Sequence, residues 1–151
     1  MQIAGKLTIE NWEELEKKLN PKKDENWDLA FNFFEERIKT KYLNPIHVIQ
    51  KMKDNSGEGF AVVSLQCSLI ETIECFIKGI IYEHPNFILP NNKIFKKGSQ
   101  GIFKSFLKFR SPFCNLNVDG EDFYKSVRCA LLHETQTKQG WKILANGYEK
   151  S

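Results

Sequence analysis

Paired cysteine motifs are missing from this 151-residue chain. Cys67, Cys75, Cys114 and Cys129 form no CxxC pair and show no metal-ligand spacing with a histidine, so no metal centre is expected. No cofactor is expected either. A strong charge of one sign is also missing. The formal net charge is only +3, so any nucleic-acid partner would have to be recognised through local patches. Met1 runs directly into Gln2-Ile3-Ala4-Gly5-Lys6 with no basic and apolar leader pattern. The longest apolar stretch, Phe60 to Ile81, is broken by Gln66, Glu71, Glu74 and Lys78 and is not read as a membrane span. These absences lead to the expectation of a cytoplasmic protein with free thiols and no membrane association. Internal repeats, heptads and low-complexity tracts are missing too.

What is present is ordinary soluble composition with 12 phenylalanines, which suggests aromatic-rich helix packing and an oligomer interface. The length suits one domain covering residues 1–151. Residues 2–9 alternate as a short strand weakened by Gly5. Thr8 then caps a helix over about 11–19, stopped by Asn20-Pro21. A second helix, about 26–41, carries Trp27, Ala30, Phe31, Phe34 and Ile38 at helical spacing, which reads as a core stripe. Pro45 can open a third, short helix, and Asp54-Asn55-Ser56-Gly57-Glu58-Gly59 is a breaker.

The helix predicted for about 60–80 is apolar nearly all round, as in the central helix of a bundle. Residues 82–98 read as an extended loop, followed by a helix at about 99–109. A last helix runs from about 120 to His133 with Asp119 as N-cap. Gly140 to Leu144 could then pair with residues 2–9. The expected fold is mostly α, a compact bundle of about four to five helices with a short terminal β-pair.

The last helix carries the chemistry. Val127-Arg128-Cys129-Ala130-Leu131-Leu132-His133 sets a permanent cation and an imidazole five positions apart in an apolar run. On a regular helix Phe123, Val127, Ala130 and Leu131 face the core, with Arg128 on one flank and His133 on the other. Within one chain the two form a poor pair. Across a two-fold axis each copy's Arg128 and His133 can meet, and Tyr124 and Leu132, on the Arg128 flank, would serve that dimer interface.

RNA supplies its own nucleophile, the 2′-hydroxyl, so a histidine acting as acid or base and an arginine on the phosphate form a sufficient, metal-free toolkit. The products would be a 2′,3′-cyclic phosphate and a 5′-hydroxyl.

Arg128-x4-His133, late in a helical domain, resembles the R-x4–6-H signature of the HEPN superfamily, and Glu121 completes an E-x6-R-x4-H pattern seen in some members. The resemblance implies a bundle of four or five helices, commonly a homodimer with Arg and His lining an interfacial cleft. It implies a metal-independent endoribonuclease of toxin–antitoxin or phage-defence type, or a member that has lost activity and binds partners. Carried over, Arg128 would hold the scissile phosphate, His133 would be the acid or base, and Glu121 would orient Arg128 or stabilise the site across the dimer. An antitoxin or other regulatory protein would be a partner. The residue after the arginine is usually polar in active members, and here it is Cys129.

Plainer readings stand beside these. Arg128 can be a surface residue covering apolar neighbours, and His133 a favourable cation at a helix C-terminus. Lys96, Lys97, Lys104, Lys108 and Arg110, interleaved with phenylalanines, suit an RNA backbone or simply the lysine face of an amphipathic helix. Cys67 and Cys75 read as core thiols. Glu71 and Glu74 read as an exposed polar edge, or as a salt-bridge partner for Arg128.

Overall fold

A computed structural model gives the fold and describes residues 1–52 and 57–144. The chain is mostly α-helical with short antiparallel hairpins. The chain divides into two compact units, Met1–Lys53 and Asp54–Ser151.

In the first unit β1 (Gln2–Ala4) pairs with β2 (Leu7–Thr8) across a turn in which Gly5 adopts φ +58°. The expected pairing with the Gly140–Leu144 segment does not occur. Residues 2–9 satisfy their own ladder, and residues 141–144 take no regular structure. Thr8 caps α1 (Ile9–Glu16) through a reciprocal box with Asn11, so the helix starts two residues earlier than its apolar pattern implied.

α2 (Trp27–Ile38) continues through a π-helical turn, Lys39–Leu43, into α3 (Asn44–Gln50) without a break. Pro45 has no N–H to donate within a helix, and the wider turn ahead of it lets the backbone pass instead of stopping. The stripe expected on α2 is displaced. Ala30 and Phe33 are buried, with Phe33 edge-on to Trp12 at 5.2 Å, whereas Phe31 and Trp27 are exposed.

The second unit begins with α4 (Glu58–Lys78), which follows Gly57 and ends at a left-handed Gly79. Of the Asp54–Gly59 breaker, residues 54–56 lie outside the described residues. Residues expected to form a loop contain a hairpin, β3 (Ile81–Glu83) against β4 (Asn86–Ile88), extended by a bridge from Ile88 to Ile94. Its aromatic pairing, Tyr82 opposite Phe87, is the strand signal that prolines and asparagines masked.

α5 (Gly98–Phe109) leads to a 3₁₀ turn at Phe113–Leu116. Then α6 (Gly120–Phe123), a π-helical turn at Tyr124–Cys129 and α7 (Ala130–Glu134) form one continuous helical rod. Asp119 caps the rod as expected, its Oδ1 accepting from Glu121 and Asp122 N–H.

The central element of this unit is α5, not α4. Ile102, Phe103, Phe106 and Leu107 of α5 are buried together with Val127, Ala130 and Leu131 of the rod. α4 buries only Val62, Cys67 and Glu74. By length and composition alone α4 is apolar enough to cross a membrane, despite its polar interruptions, although a core helix of a soluble protein meets the same criterion.

Two close contacts join these helices. Gly120 lies against α5 so tightly that a Cβ there would come within 2.6 Å of Lys104 Cα and 3.0 Å of Phe103 O. Glu74 is completely buried. Its Oε1 accepts from Ser105 Oγ (2.6 Å), and Arg110 donates from Nε to Oε2 (2.7 Å) and from Nη2 to Oε1 (3.2 Å). Lys78 Nζ adds a cation at 3.5 Å. The exposed-edge reading therefore fails for Glu74. Burial alone would raise its pKa, but the Arg110 and Ser105 hydrogen bonds and the two cations hold it below the usual carboxylate range.

Glu74→Ala should lower stability by on the order of 3 kcal/mol in urea denaturation, at the low end for a broken buried pair because Arg110 stays partly hydrated. The lowered pKa means that the stability from Glu74 is present above the ordinary glutamate value of about 4.3 and is lost as pH falls below it. The urea midpoint of wild type should accordingly drop more steeply in that acid range than that of Glu74→Gln. Gly120→Ala should cost about 1–3 kcal/mol, because the obstructing atoms are backbone and cannot swing aside.

Candidate functional site

The rod that carries Arg128 and His133 is shaped by its π-helical turn. Ser126, inside that turn, donates its hydroxyl to Asp122 Oδ1 (2.8 Å), and its carbonyl accepts the N–H of Lys138 (2.9 Å). Trp141 Nε1 donates to Asp122 Oδ2 (2.8 Å) while the Trp141 ring meets Phe123 edge-on at 5.4 Å. The segment after α7 is thus fastened along the rod and absorbs a carbonyl that the widened turn leaves available. The Trp141 and Ser126 hydrogen bonds hold the Asp122 carboxyl below its ordinary pKa.

The wheel of about 100° per residue does not apply across such a turn. Arg128 points at α4. Its Nη2 stands 3.6 Å from Glu71 Oε1, its guanidinium lies 5.6 Å from the centre of the Tyr124 ring, and both members of the ion pair are about one-fifth exposed. The carboxylate expected for Arg128 on α4 is therefore Glu71, while Glu74, one turn on, serves Arg110. Ser64, Cys67, Ser68, Glu71, Arg128, Leu131 and Leu132 line a cleft of about 30 Å³, room for one water or hydroxyl. Glu71 Oε1 is buried in it without a hydrogen-bond donor, since 3.6 Å from Arg128 is too long for one.

The other expected residues fall around this centre unevenly. Glu121 is engaged by Lys125 (2.8 Å) and Lys104 (3.7 Å), with Lys125 the main cause of its lowered pKa, so within the chain Glu71 takes the place expected of Glu121 beside Arg128. His133 is exposed on α7, and no hydrogen bond or ion pair joins it to Arg128 among the described residues. Burial first, and the neighbouring Cys129 thiol second, raise the pKa of Tyr124. Tyr124 is half-buried against Phe103 at 5.6 Å, and Leu132 is 55% exposed. Of the basic residues, Lys96 and Lys97 are exposed, Lys104 meets Glu121 and Lys108 lies over the Phe109 ring at 5.2 Å. Arg110 leaves the patch altogether and turns inward to Glu74.

Ser64, Ser68 and the orphan oxygen of Glu71 escaped the sequence reading. A signal for them exists. Ser64, Cys67, Ser68 and Glu71 stand at i, i+3, i+4 and i+7, a small and polar stripe on an apolar helix. Comparisons with protein-family models, curated proteins and solved structures find no match.

Desolvation pushes Cys67 up to about 12 and Cys75 up to about 11, and Cys67 is also sterically covered. With thiolate so scarce, iodoacetamide at pH 8 should leave both unlabelled in the native chain and modify them only after denaturation, as read by peptide mass spectrometry.

Proposed function

We propose that this chain is a metal-independent endoribonuclease of toxin or defence type. Arg128 holds the scissile phosphate and His133 acts as proton donor or acceptor at a site completed by two copies. The observation that carries the reading is an arginine that lines a cleft, one-fifth exposed, with an acidic partner too distant to hydrogen-bond it. A purely structural arginine would be expected to close such a bond. An arginine at 3.6 Å from its counter-ion keeps donors free for phosphate oxygens.

The exposed His133 and Leu132 lie on the same short helix, where a second copy can cover the leucine and receive the imidazole. That arrangement answers the separation of Arg128 from His133 within one chain. The lysines at 96, 97, 104 and 108 would steer the RNA backbone. Such an enzyme would act in the cytoplasm, under an antitoxin or comparable regulator.

A second reading is a non-catalytic, partner-binding module of the same superfamily. It is favoured by Cys129, a small, weakly hydrogen-bonding residue where active members of the resembled superfamily usually carry a polar one.

Purified chain incubated with a mixed RNA pool in excess EDTA should yield 2′,3′-cyclic phosphate ends. Arg128→Ala and His133→Ala should each reduce cleavage by about 10²-fold or more. Cleavage surviving both substitutions would exclude this site. A wild type that cleaves nothing, with its regulator removed, would favour the binding module. Light scattering at micromolar concentration should report a dimer.

A further inference from the structure

We infer that Glu71 is the general base of this site, the group that removes the proton from the RNA 2′-hydroxyl. The inference rests on the ribonuclease reading above. A cleaving transesterification needs two proton transfers, one from the attacking 2′-oxygen and one to the leaving 5′-oxygen. A single histidine per active centre supplies one of them. Cys129, next to Arg128 in the chain, is a weak hydrogen-bonding group and does not supply the other.

Glu71 has the geometry for the missing role. Its side chain lines the cleft and is about one-fifth exposed, and its buried Oε1 accepts no hydrogen bond and stands 3.6 Å from Arg128 Nη2. The cleft of about 30 Å³ has room for a water or a hydroxyl. A ribose presents a hydroxyl and a phosphate side by side. The 2′-hydroxyl can enter and donate to Glu71 while the neighbouring 3′-phosphate stays outside on the guanidinium of Arg128. Ser64 and Ser68, at the same cleft, offer hydroxyls to the ribose.

The step balances without any further reactant. The 2′-hydroxyl proton passes to the Glu71 carboxylate as the 2′-oxygen forms its bond to phosphorus. The phosphorus–O5′ bond breaks, and O5′ takes a proton from the imidazolium of His133, supplied by a second copy. The products are the cyclic phosphate, a 5′-hydroxyl, a protonated Glu71 and a neutral His133, which exchange their protons with solvent. Arg128 holds the phosphate beside the Glu71 carboxylate.

The test compares wild type, Glu71→Gln, Glu71→Asp and His133→Ala on two RNA oligonucleotides containing the linkage that wild type cleaves. One is natural and the other carries sulfur in place of the bridging 5′-oxygen. A thiolate leaves without protonation, so loss of the acid is forgiven on the sulfur substrate and loss of the base is not. Glu71→Gln should slow cleavage of both by about 10²- to 10⁴-fold. Glu71→Asp should retain part of the rate, and His133→Ala should recover on the sulfur substrate only. A thermal melt matching wild type should show that Glu71→Gln folds intact.

Wild-type rates in Glu71→Gln would overturn the inference. So would faster cleavage, which would make Glu71 merely a counter-ion that masks Arg128, or recovery of Glu71→Gln on the sulfur substrate. Cleavage lost in Arg128→Ala but untouched by Glu71→Gln overturns this inference alone. A wild type that cleaves neither substrate overturns the ribonuclease reading with it.

Discussion

Glu74 and its partners set the geometry on which the second unit depends. A carboxylate removed completely from water can exist at neutral pH only if its oxygens are hydrogen-bonded and its charge is compensated. Here Ser105 and Arg110 occupy both oxygens and Lys78 adds charge from one turn along. These bonds have few alternative arrangements, because Arg110 offers a rigid planar fork and Ser105 a short side chain. They set the position of α5 along α4 more specifically than apolar contact could, since hydrophobic burial is non-directional.

The candidate site inherits that placement. Gly120 lets the rod lie directly on the α5 backbone, so the position of α5 decides where Arg128 comes to rest. Glu71 and Glu74 share one side of α4, three residues apart, one facing Arg128 and the other facing Arg110. One carboxylate is fully satisfied and structural. Its neighbour lines a cleft and has one buried oxygen that accepts no hydrogen bond. The contrast between two chemically identical residues in adjacent turns is the strongest pointer to function on this surface. The π-helical turn completes the arrangement, because it redirects Arg128 while the Ser126–Lys138 bond satisfies the displaced carbonyl.

Much of the local structure was legible from the residues. Thr8 and Asp119 cap where short polar side chains should cap, and Val127, Ala130 and Leu131 face the core as their spacing implies. The misreadings share a cause. The separate helix at Pro45 and the flank positions of Arg128 and His133 assumed regular α geometry, and both rods contain π turns that follow no sequence period. Arg110 looked like its neighbouring lysines because nothing local distinguishes a cation at the surface from one turned toward a carboxylate 36 residues away.

The sequence by itself determined the mostly helical character, the caps and the presence of an arginine and a histidine near one another in a late helix. These follow from interactions within a few residues, which periodicity and composition record. Only the tertiary structure decided which acidic residue meets which cation, that α5 and not the more apolar α4 is most deeply buried, and that Glu71 has an unfilled oxygen. Such properties depend on what lies opposite a side chain across a helix interface. Burial and pairing are set by that neighbour, and a single chain read in order does not name it.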